Sequence, residues 1–301
     1  MENHLVTSRD WPAPAKLNLF LHVVGRRADG YHLLQTVFQF IDLSDLLDIT
    51  VRADGQLVRQ ANYADIAAGA DLIMRAAAVL KNETGCRLGA EITVHKHLPV
   101  GGGLGGGSSD AATTLVALNR LWHLNLAVTE LADIGLRLGA DVPVFVHGHA
   151  AWAEGVGEKL TPATPEECWY LVIHPGIRIP TAEIFGAPDL TRNTPATTIR
   201  DFLEAGGHND CEPVVRRRYP AVTEALDWLT QFGKARMTGT GSCVFASFNT
   251  REEATRAHSG TPGKWRGYIA RGLNQSPLLQ RLAQEKTESP ISAGQWLNNG
   301  V

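Results

Sequence analysis

The stretch Pro99-Val100-Gly101-Gly102-Gly103-Leu104-Gly105-Gly106-Gly107-Ser108-Ser109-Asp110-Ala111-Ala112 decides how the rest of the chain is read. Six of the seven residues from Gly101 to Gly107 are glycine. Glycine loses more conformational freedom on folding than any other residue, so a fold concentrates it where the backbone must turn sharply or approach something closely. Upstream, Ala90, Ile92, Val94 and Leu98 are apolar with polar residues between, the pattern of a half-buried strand. Downstream, Ala111, Ala112, Leu115, Leu118, Leu121 and Trp122 share one helical face. Ser108 or Ser109 is the expected N-cap, with Asp110 in the first turn. Strand, glycine loop and helix N-terminus bring bare amides and a positive dipole end to one point, which makes a phosphate cradle.

Other glycine-rich loops fit less well. No lysine precedes the serine pair, so this is not a Walker A loop. Gly101-x-Gly103-x-x-Gly106 matches the dinucleotide fingerprint as text, but a Rossmann unit needs a second strand after the helix. Here the pattern predicts a second helix, Thr129 to Leu138, capped by Thr129. Neither a Val-Ala-Ile-Lys strand nor a His-Arg-Asp segment follows, as a protein kinase would require. A flexible linker would not sit between a strand and a capped helix.

The chain has 301 residues, enough for two ordinary domains. Its 44% hydrophobic and 20% charged content is that of a soluble globular protein. A net charge of -3 gives no general pull toward nucleic acid, and Arg216-Arg217-Arg218 reads as a solvated face. The four cysteines, 86, 168, 211 and 243, are far apart and suit reduced thiols, not a disulfide framework or a zinc site. No apolar run is long enough to span a bilayer and no signal-like segment opens the chain. A cytoplasmic protein, as monomer or homodimer, is expected, with no nucleic-acid or membrane partner.

Along the chain, Ala15, Leu17, Leu19, Leu21 and Val23 alternate with Lys16, Asn18, Phe20 and His22 in a first strand. Tyr31 to Ile41 returns as a second. Leu46 to Val51 and Gln56 to Gln60 bracket Asp54-Gly55, a hairpin signal. A helix is expected from Asp71 to Thr84, stopped by Gly85, and a short one after Asp141. Strands are expected at 169–174, 243–248 and 267–272, and helices near 199–205, 221–232 and 251–258. This is an α+β arrangement. The Pro- and Thr-rich segment 161–167 divides it into an N-terminal lobe of residues 1–160 and a C-terminal lobe of residues 161–280. Residues 281–301, polar and aperiodic, are expected to be a disordered tail.

Taken singly, the polar residues have plain explanations. Lys16 reads as a solvated strand residue, Asp141 and Asp71 as helix N-caps, and Asn209-Asp210 as the cap of a helix near Cys211. Beside a phosphate cradle, a cation against developing charge and a carboxylate to orient a hydroxyl become relevant, and Lys16 and Asp141 are candidates.

Several motifs in order resemble one superfamily. The loop is similar to the phosphate motif of the galactokinase, homoserine kinase, mevalonate kinase and phosphomevalonate kinase superfamily. Pro14 to Leu21, Arg27-Ala-Asp-Gly-Tyr-His32, Leu138 to Phe145, Asn209-Asp-Cys-Glu212 and Thr238-Gly-Thr-Gly241 narrow the resemblance. They point to its branch acting on 4-diphosphocytidyl-2-C-methyl-D-erythritol, from about Trp11 to Leu278.

The resemblance implies a two-lobed small-molecule kinase with a ferredoxin-like C-terminal lobe and substrates in the cleft between. It implies transfer of the γ-phosphate of ATP, with Mg²⁺ arriving on the nucleotide, to the tertiary 2-hydroxyl of the substrate in non-mevalonate isoprenoid synthesis. By position, Lys16 and Asp141 match the catalytic pair and residues Pro99 to Asp110 the ATP site. Asn18 matches a contact to the methylerythritol end. Tyr31, His32 and Phe185 match contacts to the cytosine, with Tyr31 and Phe185 sandwiching it and Thr181 nearby. One departure stands out: Asp71 occupies a place where the pattern expects Asn. An ionised Asp only accepts hydrogen bonds, so an amide donor to adenine is lost, and Asp71→Asn is expected to tighten ATP. A homoserine or mevalonate kinase of the same superfamily, a dinucleotide-binding oxidoreductase and a nucleic-acid module are the competing readings.

Overall fold

The computed structural model describes residues 6–60 and 71–288. The first half is built on two long strands, β1 (Thr7–Arg26) and β2 (His32–Arg52), paired antiparallel along their length. A short β3 (Leu57–Arg59) is followed by helix α1 (Leu72–Thr84) and strand β4 (Gly89–His95). Then come α2 (Gly106–Leu121), α3 (Val128–Leu136), α4 (Val142–His147), and the hairpin of β5 (Ala151–Glu154) and β6 (Lys159–Pro162). The helical face expected from Leu115 and Leu118, and that of α1 with Ala76, Ala77 and Leu80, are buried against Trp11, Phe40, Leu47, Ile49 and Ile92 of the sheet. Burial of such side chains, at about 25 cal/mol per Å² of apolar surface, is what holds these short helices in place.

The second half runs β7 (Trp169–His174), α5 (Thr181–Phe185), α6 (Ile199–Ala205), α7 (Glu212–Arg218), α8 (Pro220–Thr230), β8 (Arg236–Met237), β9 (Val244–Phe248), α9 (Arg251–Ser259) and β10 (Arg266–Leu273). Its strands lie in the order β10-β7-β9-β8, each antiparallel to its neighbour. That is fourth, first, third, second in chain order, with α8 and α9 in the crossovers, which is the ferredoxin-like arrangement. β10 also pairs with β2 through Gly272–Ile41 and Leu273–Phe40, so one sheet runs through both halves. Leu17, Val37, Val172 and Phe245 fill the core at that junction.

Four expectations are corrected. The Asp54-Gly55 turn does not close a hairpin, because β3 pairs in parallel with β4 and β4 lies between β2 and β3. The chain crosses there over Gly89, where a Cβ would sit 2.1 Å from the Gln56 carbonyl oxygen. Helix α2 begins at Gly106 with Gly105 as N-cap, so Ser108, Ser109 and Asp110 lie inside it. Helix α3 is capped at Ala127, and Thr129 lies inside it. The segment from Arg281 is not disordered up to Glu288: it continues α10 (Pro277–Glu288). There Glu285 accepts from Ser8 Oγ at 2.9 Å, pairs with Arg281 at 2.8 Å, and Arg281 covers the Trp11 ring at 4.8 Å. The rest of that tail, residues 289–301, lies outside the described residues.

Candidate active site

A cleft of about 470 Å³ runs between the halves, floored by β1 and roofed by the glycine loop. The loop is held from both sides. Lys16 N donates to Leu104 O at 3.0 Å, and Cys243 N donates to Gly102 O at 3.0 Å. Gly103 has φ of +78°, and a Cβ there would sit 2.4 Å from Thr238 O. Gly105 has φ of +76°, and its Cβ would meet the Phe145 ring at 2.8 Å. No other residue takes these conformations at these separations without strain. The first turn of α2, whose amides have no partner within the helix, lines the cleft.

Lys16 is not solvated. It is 2% exposed, and its ammonium donates to Asn18 Oδ1 at 2.5 Å and stands 3.4 Å from Asp141 Oδ2. A buried lysine is stable only when paired in this way. Asn18 donates in turn to Thr36 Oγ1 at 3.0 Å, and its backbone N–H donates to Thr238 Oγ1 at 2.9 Å. Asp141 occupies the N-cap position of α4 but makes no capping bond, so its carboxylate turns to Lys16 instead. His22, placed with Lys16 and Asn18 by simple alternation, is diverted. A register shift between Asn18 and Leu21 sends Phe20 and His22 toward Phe202 and His208.

At one end of the cleft Thr181 and Thr240 hydroxyls meet at 3.1 Å, and His32 stacks on Phe185 with centroids 5.0 Å apart. That contact leaves no room for a third ring between those two. Arg192 Nε donates to His32 Nε2 at 3.0 Å, so Nδ1 carries the His32 proton. Burial, then the charges of Arg192 and Arg26, hold His32 below the usual histidine range. Tyr31 stands at the rim, 63% exposed, and does not line the cleft. Asn209 and Asp210 play tying roles. Asn209 donates to Met237 O and Gly239 O at 2.9 and 2.8 Å, pinning the Thr238–Gly241 turn. Its Oδ1 accepts from Cys211 N, while Cys211 holds the N-cap position of α7. Asp210 accepts from Val23 N and Thr194 Oγ1.

Pattern reasoning missed two cations of the cleft, Arg59 and Lys96. Lys96 bridges two buried carboxylates, Asp45 and Asp110, the latter at 2.8 Å. Asp45 also accepts from His97 N and Leu98 N, fixing the strand-to-loop turn. Burial pushes the Asp110 carboxyl up to about 7, against the pull of Lys96 and reinforced by Asp45. With a folded value above the unfolded one, Asp110 binds more protons in the native state. Its contribution to stability is therefore greatest at low pH and is lost as pH rises toward and through 7. Asp110→Asn removes this dependence. The melting temperature of the variant, measured from pH 4.5 to 8.5, is expected to gain on the wild type up to about pH 7 and to hold that gain above it; parallel curves below pH 7 would contradict the account.

Asp71 caps α1: its Oδ1 accepts from Ile73 N at 2.9 Å and its Oδ2 from Arg59 Nε at 3.0 Å. Among the described residues no helix is long and apolar enough to cross a membrane.

Comparisons with known proteins identify the family. The GHMP kinases N terminal domain matches residues 71–149 and the GHMP kinases C terminal matches residues 190–261. A 4-diphosphocytidyl-2-C-methyl-D-erythritol kinase of Nitrosococcus oceani is 55% identical over 277 residues, covering 92% of this chain and 98% of the relative. One of the same name from Alkalilimnicola ehrlichii is 56% identical over 279 residues, covering 93% and 96%. A crystal structure of 4-(cytidine 5'-diphospho)-2C-methyl-D-erythritol kinase superposes with a TM-score of 0.75 at 32% identity, over 89% of this chain and 99% of that one. A mevalonate kinase structure, at 16% identity and a TM-score of 0.65, shares the fold. With its glycine loop, paired lobes and near full-length identity, this chain belongs to the 4-diphosphocytidyl-2-C-methyl-D-erythritol kinase family of the GHMP kinases.

Proposed function

We propose that the cleft transfers the γ-phosphate of ATP to the tertiary 2-hydroxyl of 4-diphosphocytidyl-2-C-methyl-D-erythritol, giving the 2-phosphate and ADP in non-mevalonate isoprenoid precursor synthesis. The observation that carries this reading is the pair of buried Lys16 and half-buried Asp141, set against the Gly105 end of a phosphate loop, where a Gly105 Cβ would lie 3.1 Å from Lys16 Cε. A tertiary alcohol is a crowded, weak nucleophile. In a loose transition state its proton leaves late, so the Asp141 carboxylate chiefly orients the hydroxyl and takes the proton as the new P–O bond forms. Lys16 offsets charge on the moving phosphoryl group, and the bridging oxygen departs with ADP. The amides of residues Gly101 to Ser108 receive the phosphates.

Mg²⁺ enters on the nucleotide and, when bound, neutralises charge on the phosphate oxygens. Asp141, engaged with Lys16 and the acceptor hydroxyl, is left to the proton, and the metal is carried by the phosphates of the nucleotide. At the far end Asn18 meets the methylerythritol hydroxyls. Phe185 stacks on the cytosine and the His32 Nδ1–H is positioned to donate to it. Tyr31, outside the cleft lining on the rim, reaches the other face of the cytosine by turning inward. Binding so far from the reacting hydroxyl fixes the hydroxyl's position without weakening the chemistry. The lobes divide between β6 and β7, within residues 163–168. The free state of all four cysteines suits a reducing cytoplasm. Phosphorylation of this acceptor in preference to mevalonate or homoserine is the test; turnover of either of those instead would refute it.

A further inference from the structure

We infer that Arg59, paired with Asp71, reads the edge of the nucleotide base. This rests on the cleft being an ATP site and concerns the end away from the chemistry. The phosphate loop has two distinct ends. Gly105 abuts Lys16, whereas Gly107 abuts α1, where a Cβ would lie 3.5 Å from Leu72 Cδ1. A nucleotide whose γ-phosphate reaches Lys16 and Asp141 along this loop has its base directed toward the start of α1. There the cleft is walled by Leu72, Ile73 and Val94, apolar surfaces on which a planar ring can lie, and edged by Arg59 and Asp71.

The pair is built for recognition at that edge. Arg59 closes β3, and its side chain is held by two bonds, Nε to Asp71 Oδ2 at 3.0 Å and Nη1 to Ile92 O at 3.3 Å. Its Nη2 makes no hydrogen bond among the described residues, and the side chain is 19% exposed. A guanidinium fixed at two points has little rotamer entropy left to lose, so its free N–H is a preorganised donor. Asp71, 12% exposed, has spent one bond on Ile73 N and one on Arg59, and retains lone pairs. Together they present one donor beside one acceptor. Adenine offers the complement, an exocyclic amine beside a ring nitrogen that accepts. Arg59 also cancels the Asp71 charge, which would otherwise oppose a polyanion. The pairing reverses the expectation for Asp71→Asn: an amide releases Arg59 from its anchor, so ATP is expected to bind less tightly, not more.

The test is calorimetric titration of the full-length protein with a non-hydrolysable ATP analogue and with its GTP counterpart, alongside melting temperatures. Arg59→Ala is expected to weaken the ATP analogue roughly 10- to 150-fold, the range for a lost charged hydrogen bond, while the GTP analogue changes much less. Arg59→Lys keeps an ion pair with Asp71 but lacks the fork, and is expected to lose the preference for the adenine nucleotide while holding the wild-type melting temperature. Equal binding of the ATP analogue by wild type and both variants, or an equal loss for both nucleotides, overturns the inference and leaves Arg59 as a strut for Asp71. Absence of nucleotide binding by the wild type would instead overturn the reading of the cleft itself.

Discussion

Asp141→Asn is expected to lower kcat by about 10²-fold or more, with a modest fall in melting temperature because the buried Lys16 ammonium loses its counter-charge. The reason is geometric. Asp141 sits where a helix-capping residue would be, yet gives no bond to α4, so its removal costs the helix nothing. What is lost is the acceptor that orients the hydroxyl and the partner of Lys16. Lys16→Ala is expected to lower kcat to a similar degree. It differs in stability, because Asn18 Oδ1 loses its donor in a buried site. Since the two side chains lie 3.4 Å apart and serve one transition state, the double variant is expected to be little worse than either single one. Steady-state kinetics on the three variants decides the matter. Near-wild-type turnover in Asp141→Asn would reduce the pair to a structural contact.

Gly103→Ala carries the second large effect. The added carbon would meet Thr238 O at 2.4 Å and Gly241 O at 2.9 Å, and φ at +78° disfavours any side chain. These are backbone atoms of the opposite lobe, so no flexible side chain can yield. A loss of about 2–4 kcal/mol in stability is expected, the range for combined strain and overlap. The Thr238 turn also receives the Asn18 N–H, so displacing it disturbs the acceptor side of the cleft as well as the loop. The melting temperature should fall by several degrees and the KM for ATP rise at least tenfold, near the usual yield of displaced phosphate contacts. An alanine variant with wild-type melting temperature and KM would show that the lobes do not close on the loop as described.

Much of this was legible in the sequence because the signals are local. The loop announces itself by glycines that no other residue can replace at Gly103 and Gly105. Helix α1 is bracketed by Asp71, which caps through its side chain, and Gly85 in the left-handed region at φ 64°. What escaped depends on contacts distant in sequence. The partner of β3 is set by where β4 returns, not by the Asp54-Gly55 turn. α10 looks polar because one face meets solvent while Glu285 and Arg281 are satisfied by Ser8 and Trp11 at the other end of the chain. Nothing local in the sequence marks Lys96 or Arg59, and only the fold brings Asp45, Asp110 and Asp71 to them. The lysine that matters most, Lys16, looked solvated for the same reason: its partner lies in another element, and burial is invisible in an alternating pattern.

The central claim is the identity of the phosphorylated hydroxyl, and phosphorus NMR of the product tests it most directly. The purified chain is incubated with MgATP and 4-diphosphocytidyl-2-C-methyl-D-erythritol, and the new monoester resonance is recorded without proton decoupling. A phosphate on the tertiary 2-hydroxyl has no proton on its ester carbon, so a singlet is expected, together with one equivalent of ADP. A doublet or triplet would place the phosphate on a secondary or primary hydroxyl. Either of those, or the absence of a new resonance while mevalonate or homoserine is consumed, would contradict the account.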